Sequence, residues 1–202
     1  MSRQARTATK FLSALAVLAS VMKPAPALAW EIPCDFLTGG GFIIFQGSKA
    51  NFGVGGGCKN GSPTWGHLEY IDHGSGLNVH WTSITGYMTD GDTGTDPKTG
   101  QPTGARYICG TARTNLPPPN DNVNFVVRAG DAGEPGTSDT FDISLTNQTT
   151  HAYVYATYPE HFCYHYLGSS VACSPGSNGG GNIQLHKPNP SNTGDFGGFC
   201  DF

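Results

Sequence analysis

Apolar and polar residues alternate most clearly over residues 121–145. Val123, Phe125 and Val127 form one apolar set against Asn122, Asn124 and Arg128, and Phe141, Ile143 and Leu145 form another against Thr140, Asp142 and Ser144. A period of two puts each apolar set on one face of a strand. Between the arms lies GDAGEPGTSD, where glycine allows positive φ, proline presets a turn and aspartate caps backbone N–H groups. The pattern predicts a β-hairpin with a rigid acidic loop.

The same logic finds strands along the chain. GFIIFQ at 41–46 is apolar in both phases, as a central strand would be. Residues 65–71 follow GVGGGCKNGSP, which reads as a glycine-rich loop. Leu77, Val79 and Trp81 share a phase over 77–87, with a kink expected near 84–86. Further strands are predicted at 105–112, at 151–157 around Tyr153 and Tyr155, and at 181–186 with Ile183 and Leu185 in phase. Beyond residue 29 no stretch sustains a 3.6-residue period. Eight or more short strands split by Gly, Pro and Asn predict a single all-β domain, a disulfide-braced β-sandwich, with a partly open barrel as the alternative. An outer-membrane barrel is a rival because the chain ends in Phe202, but the final GDFGGFCDF does not make the alternating strand of roughly ten residues such a barrel needs.

Residues 1–29 have the pattern of an export signal. Arg3, Arg6 and Lys10 precede an apolar run at 11–21 that is too short to span a bilayer, and Ala27, Leu28 and Ala29 form an A-x-A cleavage site. The expectation is an exported all-β domain at 30–202 with no transmembrane segment, secreted, periplasmic or on the cell surface. Cleavage removes four of the eleven basic residues and none of the fifteen acids, leaving a net charge of −8. Such a surface repels phosphate backbones, which argues against nucleic acid as a partner.

An exported chain with an even number of cysteines reads as a disulfide framework. The six are Cys34, Cys58, Cys109, Cys163, Cys173 and Cys200. Cys163–Cys173 would close a local loop and Cys34–Cys200 would tie the ends together, which leaves Cys58–Cys109.

Several short motifs occur in a specific order: TGGGFI at 38–43, ANFG at 50–53, GHLEYID at 66–72, TSITG at 82–86, GTA at 110–112, DAGEPG at 131–136, DTF at 139–141 and GGNIQLH at 180–186. In this order they resemble the post-COAP family of exported bacterial β domains, over most of the chain beyond residue 29. The resemblance implies an all-β module of bacterial surfaces and secretomes, and no particular activity. Family members pass quickly from the strand at 152–156 to the GGNIQ strand, whereas here residues 157–177 intervene.

That insertion gathers aromatic and imidazole groups. Tyr155, Tyr158, His161, Phe162, Tyr164, His165 and Tyr166 are the candidate ligand-binding residues, because such rings give a large contact area at small entropic cost. The competing reading is a strand pair that extends the core, with its rings buried. His161, Cys163 and His165 have a spacing that would suit zinc or copper on a strand, but a disulfide would occupy the sulfur. Asp131, Glu134, Asp139 and Asp142 are the candidate calcium ligands, as hard oxygens in one acidic loop. DGDTGTD at 90–96 begins like a calcium loop but lacks its closing glutamate, and reads as an Asp/Gly turn. There is no G-x-S-x-G, H-E-x-x-H or P-loop motif. The expected function is a non-catalytic surface or matrix module that binds or scaffolds a glycan or protein partner. The alternative is an exported protein that binds or cleaves carbohydrate.

Overall fold

The structure, a computed structural model, describes residues 33–158, 163–176, 179–188 and 194–201. The expected signal segment therefore lies outside the described residues. Ten strands follow in chain order: β1 (Phe36–Phe45), β2 (Ser48–Gly57), β3 (Trp65–Asp72), β4 (Leu77–Thr95), β5 (Pro102–Thr114), β6 (Asn122–Asp131), β7 (Thr140–Asn147), β8 (Tyr153–Ala156), β9 (Gly181–His186) and β10 (Gly197–Gly198). The first eight form one antiparallel meander, β9 adds to the outer edge of β1, and β10 pairs with β4. The sheet does not close. It folds over instead, so that β1–β3 face β5–β8 in a sandwich-like arrangement. Phe52 of β2 stacks on Phe141 of β7 at 3.8 Å, and Tyr70 of β3 meets Tyr155 of β8 at 5.8 Å.

β4 is the strand that turns the sheet. Its first residues pair with β3 through Leu77–His80, while its pairing with β5 continues to Thr95 with register shifts at four places, one between Ile84 and Gly86. Bulges bend a strand and increase its twist, which lets it pass from one layer to the other. β10 then pairs with β4 at Gly86 and Tyr87, beyond the reach of β3.

The core follows the alternation in the sequence. Val123, Phe125, Val127, Phe141, Ile143 and Leu145 are all buried, and Phe125 pairs with Leu145 and Val127 with Ile143. Each such side chain contributes about 1.5–3 kcal/mol by leaving water. The first part of the stretch read as a glycine-rich loop, residues 53–57, belongs to β2. Its inward residues Ala50, Phe52 and Val54 are buried, while Gly53 and Gly55 lie on the other face, so from residue 53 that face has no side chains. Gly56 also faces inward, and a Cβ there would lie 2.7 Å from Ile108 Cγ1 of β5. The DGDTGTD motif is likewise no simple turn: Asp90 and Asp92 belong to the end of β4.

Three disulfides brace the fold, and the described residues contain no free cysteine. Cys163–Cys173 is the expected local bridge. The other two expected pairs are corrected to Cys34–Cys58 and Cys109–Cys200. The β1–β2 register pairs Phe36 with Gly57 and so brings Cys34 beside Cys58. Gly86 pairs with both Cys109 of β5 and Gly198 of β10, which carries Cys200 to Cys109. Such bridges place the folded domain in an oxidising compartment. No helix among the described residues is long and apolar enough to cross a membrane.

One end of the core is polar. Arg106 is fully buried on the inner face of β5, and its Nε and Nη2 donate to Asp35 Oδ1 at 3.1 Å and Oδ2 at 2.5 Å. Nη2 also reaches Asp92 Oδ1 at 2.6 Å, and the Tyr87 hydroxyl donates to Asp35 Oδ1 at 2.7 Å. Burial alone would lower the Arg106 pKa, but the bonds and charge of Asp35 outweigh it and hold the pKa above its usual value. Burial, followed by the Asp35 charge, pushes the Tyr87 phenol well up.

Candidate functional site

The outward residues of β5–β7 form a cross-strand row. Tyr107 pairs with Arg128, and Arg128 with Asp142. The segment after β8 is fastened onto this row. Thr157 N–H donates to the Ile143 carbonyl at 2.9 Å and its hydroxyl to Asp142 Oδ1 at 2.9 Å. The chain then returns along the part of β7 that β8 leaves uncovered. Phe141 N–H donates to the His165 carbonyl, Leu167 N–H to the Asp139 carbonyl, and Tyr166 bridges Thr140. Gly168 N–H continues to the Phe42 carbonyl of β1 at 2.9 Å, so the segment also closes the gap between the two layers.

The insertion thus divides its residues between two roles. Leu167 is fully buried in the core. His165 is a staple: its Nδ1 lies 2.7 Å from Asp142 Oδ1, its N–H donates to Asp142 Oδ2, and its ring meets Phe45 edge-on. Tyr155 also faces inward, its hydroxyl bonded to Tyr70 at 2.7 Å and Asp72 at 3.1 Å. Burial, followed by the charge of Tyr70, pushes its pKa well up. Tyr155 and His165 are therefore not on an open binding face. His161 and Phe162 lie outside the described residues.

Tyr158 and Tyr164 do reach the outer face, where they join residues that sequence reasoning had not singled out. Their rings stack at 5.1 Å, and the Arg128 guanidinium lies 3.5 Å from the Tyr164 ring centre. Asp90 accepts from Arg128 Nε at 2.6 Å, and Thr140 accepts from Nη1 at 3.3 Å. Tyr107 shares a hydrogen bond with Tyr164, and its pKa is raised, first by burial and then by Asp90. The result is a pre-assembled column of Tyr158, Tyr164, Arg128 and Asp90. Beside it is an open cavity of about 250 Å³, lined by Tyr107, Val126, Arg128, Tyr153, Tyr158 and Tyr164 among others. Tyr153 is 74% exposed and Tyr158 is 41% exposed. A second cavity of about 330 Å³ shares Arg128 and Tyr164 and continues past Asp90, Asp92, Thr140 and Tyr166. The available signal was the phase opposite to the core set: Arg128 alternates with Val127, and Tyr107 is its partner across the ladder.

The acidic hairpin loop has a different use. β9 pairs with β1 on one edge only, and its other N–H groups need acceptors. Asp139 Oδ2 accepts from Ile183 N–H at 2.8 Å and Asp131 Oδ2 from Leu185 N–H at 2.7 Å. Their remaining oxygens accept from Ala132 and Gly133 N–H within the loop, and Glu134 accepts from the Asn182 amide at 3.0 Å. Asp142 is held by His165 and Thr157 instead. The four candidate calcium ligands are thus committed to protein donors, and among the described residues no group of three or more His, Cys, Asp or Glu side chains is placed to hold a metal ion. Desolvation pushes the Asp139 pKa up to about 6 and also raises that of Asp131. Asp96 is held low, first by the Thr99 hydroxyl and then by the Lys98 N–H.

Comparison of the chain with family models, with curated proteins and with solved structures gives no match.

Proposed function

We propose that this is an exported, non-catalytic binding module of a bacterial surface or matrix, and that the outer groove over β5–β8 is its ligand face. The observation that carries this reading is the exposure of Tyr153 and Tyr158 beside a stacked tyrosine–arginine column. Aromatic rings kept in water and held in one arrangement give contact area without much further ordering on binding. The signal pattern at residues 1–29 and the three disulfides both suit export. A binding role is favoured over glycoside cleavage because hydrolysis needs an acid and a base facing each other across the bond. Here Asp90 is engaged with Arg128, Asp92 with Arg106 and Asp142 with His165. The motif order that resembles the post-COAP family agrees with this class.

Co-sedimentation of the folded domain with envelope and matrix material from the producing cells tests the reading. Retention of the wild-type domain, and at least a tenfold loss in the Tyr153→Ala/Tyr158→Ala variant, is expected. Equal retention of the two would remove the groove as the ligand face.

A further inference from the structure

The two cavities are neighbours, share Arg128 and Tyr164, and differ in lining. The first presents the rings of Tyr107, Tyr153 and Tyr158, with Val126 and Ile143 as its aliphatic lining. The second presents hydroxyls and carboxylates: Thr93, Ser138, Thr140, Asp90 and Asp92. Such a pairing of ring faces with closely spaced donors and acceptors matches a sugar. One face of a pyranose is lined by C–H bonds, whose positive edge suits the negative face of an aromatic ring. Its rim carries adjacent hydroxyls, each able both to donate and to accept. A lipid or an apolar peptide would instead need a broad aliphatic wall, and the described lining offers little beyond Val126 and Ile143.

Charge narrows the class. Among the described residues Arg128 is the only basic one lining either cavity, and Asp90 already occupies its Nε. The carboxylates of Asp90, Asp92, Asp131 and Asp142 border the same surface. An acidic polymer would bring further negative charge beside them and would be repelled. Two adjoining cavities of about 250 and 330 Å³ suit several linked sugars better than one.

Resting on the groove as ligand face, we propose that it takes a neutral polysaccharide chain, with sugar faces against Tyr158 and Tyr153 and hydroxyls on the polar section beyond Arg128. The probes are hydroxyethyl cellulose, galactomannan and xyloglucan, with polygalacturonate and alginate as acidic counterparts, each cast into native gels. The wild-type domain should be retarded by at least one neutral polymer. The Tyr153→Ala/Tyr158→Ala variant should lose this at least tenfold, Tyr158→Phe should keep it, and Ile71→Ala on the other layer should not change it. The acidic polymers should not retard the domain at physiological salt. Retardation by the acidic polymers alone would overturn the neutral-chain proposal. Retardation by none, with envelope retention still dependent on the two tyrosines, would overturn it and leave the groove as ligand face. Neutral-polymer retardation that survives the double substitution would put the sugar elsewhere and remove the groove reading as well.

Discussion

Replacing Asp139 by Asn should destabilise the domain more in mild acid than at neutral pH, the reverse of the behaviour of an ion-paired aspartate. Asp139 is fully buried, and its two oxygens accept from Ala132 and Ile183 N–H. An asparagine keeps one acceptor and turns an amide toward the other N–H, a loss of about 1–3 kcal/mol at any pH. A second contribution varies with pH. Desolvation raises the native pKa of Asp139 from 3.8 to about 6. The native state therefore favours the protonated form, and the stability this confers is present in full below pH 3.8 and lost as pH rises through 6. Between pH 4.5 and 7 the loss amounts to about 2 kcal/mol. Asparagine does not titrate, so the variant escapes that loss, and the stability gap between wild type and variant should widen by about 2 kcal/mol from pH 7 to pH 4.5. Urea unfolding of both proteins across this range measures the gap, in which acids that do not interact with Asp139 cancel. A gap that is constant, or that widens toward neutral pH, would refute the assignment of Asp139 as a desolvated cap on β9.

Asp35→Ala should cost about 3–5 kcal/mol, because it leaves the Arg106 guanidinium buried with much of its charge uncompensated; chemical unfolding reads the loss, and a change below 1 kcal/mol would contradict the network. Gly56→Ala should cost about 1–3 kcal/mol, because its methyl group would press on Ile108, whereas Gly53→Ala on the same strand has open space before it and should cost much less. Non-reducing peptide mapping should recover Cys34 with Cys58 and Cys109 with Cys200; a fragment joining Cys34 to Cys200 would contradict the fold of the chain ends.

Much of the architecture is legible where both faces of a strand carry side chains. The β6–β7 hairpin was readable because Val123, Phe125 and Val127 alternate with polar neighbours, and its arms pair as the pattern requires. β2 was obscured by its glycines. Ala50, Phe52 and Val54 give the inward phase, but glycine on the opposite face is also the commonest sign of a turn. Missing β2 removed the neighbour of Cys34, which is why two disulfide pairs were misassigned. In β5 the usual preference is inverted. Arg106 points into the core and Tyr107 outward, because Asp35 of the distant β1 end supplies the buried counter-charge. No local pattern reveals a partner 71 residues away. The groove was half legible. The aromatic density of the insertion pointed to Tyr158 and Tyr164, while Tyr107 and Arg128 join them only through strand register. For Tyr155, His165 and the acidic loop the sequence shows the polar groups but not their partners, which are backbone and side-chain groups that only the folded sheet provides.

The most direct test of the groove as ligand face is chemical footprinting of its tyrosines. The domain is treated with a tyrosine-nitrating reagent, free and while bound to the envelope material that retains it, and modified peptides are quantified. Tyr153 and Tyr158 should be modified readily in the free domain and protected at least severalfold when bound, with the half-buried Tyr164 following them. Unchanged nitration of Tyr153 and Tyr158 in the bound state, while the domain stays attached, would contradict the account.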